Sequence, residues 1–100
     1  MMLAAIATAH AADPAPVKLT GLQNGDRACY VIVKDGKSER SMEGDFELCP
    51  GGSKDASQLI GRMVTYATRP GKVQAMSCGG NPSCTKTDTV DLVTRLTPAD

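Results

Sequence analysis

Tryptophan is absent from this 100-residue chain, and its aromatic complement is two Tyr and one Phe. A single-stranded nucleic-acid site stacks successive bases on aromatic rings, so this supply is poor for one. Excess charge of either sign is lacking as well: 11 basic and 11 acidic side chains give a net charge of zero. That balance argues against a dedicated nucleic-acid binder and against a polybasic membrane anchor. There is one His, His10, and no C-x-x-C spacing, which argues against a zinc ribbon and a thioredoxin-type redox pair. Long apolar runs are missing too. The longest, Met1 to Ala9, falls well short of the roughly 20 residues that span a bilayer. The length allows one domain, not two.

That apolar run is the first feature present. Residues 1–12 read MMLAAIATAHAA, carry no charge, and contain the small-x-small pattern Ala9-His10-Ala11 ahead of Asp13-Pro14-Ala15-Pro16. This resembles the apolar region and cleavage site of a secretory signal peptide. No Lys or Arg precedes the run, so the expectation is a signal whose basic region lies upstream of Met1 or is unusually weak. The expected organisation is a signal peptide over 1–11, a flexible segment over 12–16 and a single β-domain over 17–100. Cleavage after Ala11 would remove His10, leaving no His for a Ser-His-Asp or Cys-His pair or for a His-ligated zinc. The expected location is periplasmic or secreted, with no membrane span in the mature chain.

The four Cys are Cys29, Cys49, Cys78 and Cys84. In a small exported chain they imply two disulfides. Three connectivities are possible, and closeness in sequence favours Cys29–Cys49 with Cys78–Cys84. Loops of these sizes gain about 2–3 kcal/mol each in the chain-entropy model. From residue 12 onward the chain holds 16 Leu, Ile, Val and Phe, a thin core that needs such staples.

Turn signals outline the strands. Asn24-Gly25 and Asp35-Gly36 are hairpin dipeptides, and Pro70-Gly71 reads as a third turn of type II character. Simple registers set Leu19 opposite Tyr30, Val17 opposite Ile32, Met42 opposite Cys29 and Tyr66 opposite Ala75. A last strand runs from Thr87 to Leu96, its alternation broken at Val93. Residues 53–59, SKDASQL, are the one helical candidate, capped by Ser53 or Asp55 and ended by Gly61. The expected class is all-β: a five- or six-stranded meander closing into an OB-like or SH3-like barrel, with one short helical turn and two disulfides. A small two-sheet sandwich is the alternative.

Chemical signatures are sparse. Gly36-Lys37-Ser38 resembles the end of a phosphate loop, but the Gly required five residues earlier is Val31. Met42, Met63 and Met76 lack the close spacing of a copper(I) site. Glu39 and Glu43 fall about 13 Å apart on a strand, too far for a glycosidase pair. The alternating Thr85, Thr87 and Thr89 suit a strand without further meaning. What stands out is the loop Gly79-Gly80-Asn81-Pro82-Ser83 between two Cys, which a disulfide would make rigid and inexpensive to dock. The sequence after residue 55 is mildly basic, and Arg69 and Lys72 flank the expected Pro70-Gly71 turn. The expected role is a non-catalytic module that binds an envelope or extracellular protein through residues 79–83 with Arg69 and Lys72. An inhibitor of a secreted protease or lysozyme is the alternative. No catalytic residue, metal, cofactor or nucleic-acid partner is expected.

Overall fold

The computed structural model describes residues 15–99. The expected signal peptide lies outside the described residues, as do residues 12–14 and 100. Five strands follow one another: β1 (Val17–Asn24), β2 (Cys29–Asp35), β3 (Ser38–Gly44), β4 (Met63–Gln74) and β5 (Thr87–Pro98). They close into a barrel in the order β1-β2-β3-β5-β4. Every pairing is antiparallel except β3 with β5, which touch in parallel at Gly44 and Val93. The other elements described are three 3-10 turns: Phe46–Leu48, Ser57–Leu59 and Met76–Cys78. Among the described residues no helix is long and apolar enough to cross a membrane. The all-β class, the closed barrel of five strands and both disulfide pairs match the sequence reading. The short helical turns, however, number three rather than one, and β5 lies between β3 and β4, so the strands do not follow a simple meander.

Alternation builds the core. Cys29, Val31 and Val33 of β2 point inward with Val17 and Leu19 of β1, Val64 of β4 and Val93 of β5. The β2–β3 hairpin closes on Gly36 and Lys37, with Asp35 opposite Ser38, two residues off the register expected from the Asp35-Gly36 signal. Val31, not Cys29, therefore faces Met42. An even shift preserves which side chains point inward.

The β1–β2 register departs further. Asn24 pairs with Cys29 across a longer loop, and a bulge at Thr20 sets Leu19 opposite Val33 instead of Tyr30. A one-residue bulge reverses facing beyond it. Hence Leu19 shares the core with Val33, while Tyr30 and Ile32 are half-buried on the outer side. The Thr20 hydroxyl donates to the Ile32 carbonyl (3.1 Å) and thus occupies a backbone acceptor at the irregularity.

The expected Pro70-Gly71 turn does not form, and Tyr66 faces Leu96 rather than Ala75. Strand β4 runs through both residues, with Pro70 opposite Asp91 and Gly71 opposite Val90. Strand β1 pairs with β4 only at Met63 and Val64, so Pro70 sits where β4 has a free edge and its missing N–H is tolerated. Gly71 is needed for space, because a Cβ there would come 2.5 Å from Leu92 Cδ1. The broken alternation at Val93 is explained by a bulge at Thr94, between the Ala67–Arg95 and Thr68–Val93 pairs. It sends Val93 into the barrel and the adjacent Leu92 into a second cluster with Val73 and Ala28. The β4–β5 hairpin thus has a barrel half and a distal half.

Cys29 and Cys49 are bonded with Cα atoms 5.6 Å apart, Cys78 and Cys84 at 5.7 Å, and among the described residues no free Cys is left. The first bond lies in the barrel core and the second at the end of the β4–β5 hairpin. Replacing Cys29 and Cys49 together by Ala is expected to cost about 3 kcal/mol in urea unfolding. The Cys78→Ala/Cys84→Ala pair should cost less. Gly44 is the seam between β3 and β5: a Cβ there would meet Val31 Cγ2 at 2.9 Å and the Cys29 and Val93 carbonyls at 3.3 Å. Gly44→Ala is expected to lower stability by about 1–3 kcal/mol through overpacking, measured by the same unfolding curve.

Candidate functional site

Two surfaces combine unusual geometry with exposed chemistry. The first is the tip joining β4 to β5. The chain leaves β4 through the Met76–Cys78 turn, then Gly79 and Gly80 adopt φ of 62° and 80°. Such left-handed backbone is costly for residues with a Cβ, which explains the paired glycines. The Asn81 side-chain oxygen accepts from the Ser83 N–H (2.9 Å), an Asx turn. Gln74 Nε2 donates to the Asn81 carbonyl (2.6 Å), and the Cys84 N–H donates to the same carbonyl (3.0 Å). With the Cys78–Cys84 bond, these contacts hold residues 79–83 in one shape. Beside them Met76 is 72% exposed, the most exposed large apolar side chain described.

The tip is fastened to the barrel. Gly80 lies against the β1–β2 loop, where a Cβ would come 2.7 Å from Asp26 Oδ2. Arg27 of that loop, its side chain only 14% exposed, gathers three strands. Its Nε donates to the Gln74 carbonyl of β4 (2.8 Å), and its guanidinium pairs with Glu43 of β3 (3.4 Å) and Asp88 of β5 (3.5 Å). A planar fork suits this many acceptors better than an ammonium. An Arg inside a turn carries no sequence signal of such a role, and sequence reasoning passed over it.

The second surface is a cleft of about 380 Å3 between the β3–β4 connection and the β4–β5 hairpin. Asp45 and Lys54 come from the connection, Arg69 and Gly71 from β4, and Leu92 and Arg95 from β5. It adjoins a smaller, more apolar hollow with Leu48, Leu59 and Leu96 in its lining, and the two share Lys54, Thr94 and Arg95. The connection owes its shape to Asp55, whose Oδ1 accepts from the Ser57 N–H (2.9 Å) and Oδ2 from the Gly51 N–H (3.0 Å). The Ser57 hydroxyl, then the Ser57 and Gly51 N–H groups, hold the Asp55 carboxyl below the ordinary carboxylate range.

The sequence-derived sites distribute unevenly over these surfaces. Gly79, Gly80, Asn81, Pro82 and Ser83 stay together at the tip. Arg69 and Lys72 do not flank a turn. They lie three residues apart in one strand and so on opposite faces, and Arg69 is about 23 Å along the strand from Met76. Arg69 belongs to the cleft, where Arg95 and Lys54 accompany it. Met63 and Met76 are separated by the whole length of β4, while Met42 packs against the core. Glu39 Oε2 lies 3.1 Å from Thr20 Oγ1 and shares that hydroxyl's one proton with the Ile32 carbonyl, whereas Glu43 pairs with Arg27. Among the described residues, no three His, Cys, Asp or Glu side chains converge in a metal-holding group. Comparison of the chain with protein-family models, curated proteins and solved structures finds no match.

The shift of Asp55 has a definite sign. Its folded pKa lies below the unfolded value, so its stabilisation is present above about pH 4 and is lost as pH falls through the folded pKa. Asp55→Asn is expected to melt below the wild type at pH 7. The two melting curves should converge as the pH is lowered below 4, measured by circular dichroism.

Proposed function

We propose that the protein is a non-catalytic binding module of an oxidising compartment, periplasmic or extracellular, which docks a protein partner through the β4–β5 tip. The carrying observation is the combination found there: a loop fixed by the Cys78–Cys84 bond and its own hydrogen bonds, presenting an exposed Met76. Rigid loops lose little entropy on docking, and a large exposed apolar side chain supplies the burial that rewards it. Met adapts to varied partner surfaces. Two disulfides in a small domain favour an oxidising location, and the signal-like residues 1–11 agree with export.

We further read the barrel as OB-like rather than SH3-like. The strand order, the parallel β3–β5 contact and the turn-bearing β3–β4 connection support this reading. OB barrels bind ligands on the β2–β3 face and at the β1–β2 and β4–β5 loops. Here those two loops meet at Gly80 and Asp26 and are tied together by Arg27.

The test uses oxidised full-length protein immobilised against a periplasmic or secreted extract. A defined partner is expected to bind the wild type. It should be lost with Met76→Asp and when residues 79–83 are replaced by a Gly-Ser stretch, with both variants melting like the wild type. Retention by both variants would remove the tip from the reading. Stoichiometric block of a lysozyme or protease by the same tip would specify the partner as a secreted hydrolase.

A further inference from the structure

The cleft carries cations that the fold does not use. Arg95 lies opposite Ala67, and Arg69 lies two residues further along β4, so both belong to one face of the hairpin. Neither forms a side-chain hydrogen bond or ion pair among the described residues, where the Arg27 and Lys54 pairs account for the salt bridges. Lys54 enters from the opposite wall, its ammonium 3.7 Å from an exposed Glu47. Against these three cations the cleft lining holds one acid, Asp45. Two unengaged guanidinium forks facing one cleft of about 380 Å3 are an unsatisfied recognition surface for oxyanions.

The spacing narrows the ligand. Side chains diagonal to each other on neighbouring strands sit about 7–8 Å apart. In an extended peptide, alternate side chains recur on one side every 6.6–6.8 Å or so, twice the rise per residue. Carboxylates at alternate positions of such a peptide therefore match the Arg95–Arg69 diagonal. Asp45 adds an acceptor, which a peptide can meet with its backbone N–H groups and a phosphodiester chain cannot. No aromatic ring lines the cleft, so bases would have nothing to stack on. The adjoining hollow over Leu48, Leu59 and Leu96 offers room for an apolar side chain of the same segment.

We propose that this cleft binds an extended acidic peptide segment, with alternate carboxylates on Arg69 and Arg95 and a flanking one on Lys54. The site is separate from the tip and stands or falls independently of the docking reading above. The probe is a fluorescently labelled peptide of alternating Glu and Val, titrated with oxidised full-length protein and followed by anisotropy. Saturable binding at low salt is expected, weakening as salt rises. Arg69→Gln with Arg95→Gln should reduce affinity by roughly a hundredfold, since a hydrogen bond to a charged group is worth about tenfold and each arginine contributes one. Lys54→Gln should reduce it several-fold. Lys72→Gln, on the other face of β4, and Met76→Asp, at the tip, should bind as the wild type does. Both arginines are exposed, so the melting midpoint of the double variant reports whether the fold is kept. Arg69→Lys with Arg95→Lys keeps the charge, removes the forks, and should fall between the wild type and the Gln pair. Absence of peptide binding would overturn the proposal, as would equal affinity for a control peptide of alternating Gln and Val, or wild-type affinity in the Arg69→Gln/Arg95→Gln variant or in the Arg69→Lys/Arg95→Lys variant. Tighter binding of an oligothymidylate of equal charge would also overturn it, in favour of nucleic acid.

Discussion

The barrel depends on a seam one residue pair wide. Strands β3 and β5 meet only at Gly44 and Val93, and the Asp45 N–H adds one hydrogen bond to the Val93 carbonyl (2.9 Å). So short a contact could not hold a sheet closed on its own hydrogen bonds. It is held because Cys29, the direct neighbour of Gly44 across the β2–β3 ladder, is bonded to Cys49 five residues further along. The disulfide pins the departing β3–β4 connection against the strand it has just left. Both cysteines are fully buried with Val31 and Val93, so the covalent bond and the apolar core reinforce the same closure.

From this closure the two candidate surfaces follow. The connection, turned by Cys49 and stiffened by Asp55, becomes the wall that carries Asp45 and Lys54 over the β4–β5 hairpin. The bulge at Thr94 makes the opposite wall, because it turns Arg95 outward and releases Leu92 from the barrel core to the distal cluster. The tip is built differently. Its shape comes from local hydrogen bonds and its own disulfide, while its placement comes from Arg27, which draws on acceptors in β3, β4 and β5. Surfaces with such different supports can serve different partners, since a substitution in one leaves the contacts of the other intact.

Much of this was legible in the residues. Cysteine spacing identified both bonds, whereas the simple register grouped Tyr30 and Ile32 with Leu19 and Val17, and the inward face of β2 is instead Cys29, Val31 and Val33. The glycine-rich, Cys-flanked stretch 79–83 was recognisable as a rigid loop because its constraints are local. The Pro70-Gly71 signal misled because the dipeptide reports a local preference, whereas Leu92 packing over Gly71 and the open edge at Pro70 favour a continuous strand. The bulge at Thr20 left no trace in the pattern, and that at Thr94 left only the adjacent apolar pair Leu92 and Val93. The cleft had no signature at all. Its lining comes from residues 45, 54, 67–71, 92, 94 and 95, and no short spacing connects them.

The sequence by itself determined the class of fold, the covalent framework and the rigid tip. Those rest on short-range facts: period-two alternation, the entropy of closing loops between nearby cysteines, and the backbone freedom of Gly79 and Gly80. Only the tertiary structure decided the registers, the barrel order and the grouping of Lys54, Arg69 and Arg95. A single bulge reverses which way every residue beyond it faces, and whether a bulge forms depends on packing partners distant in the chain.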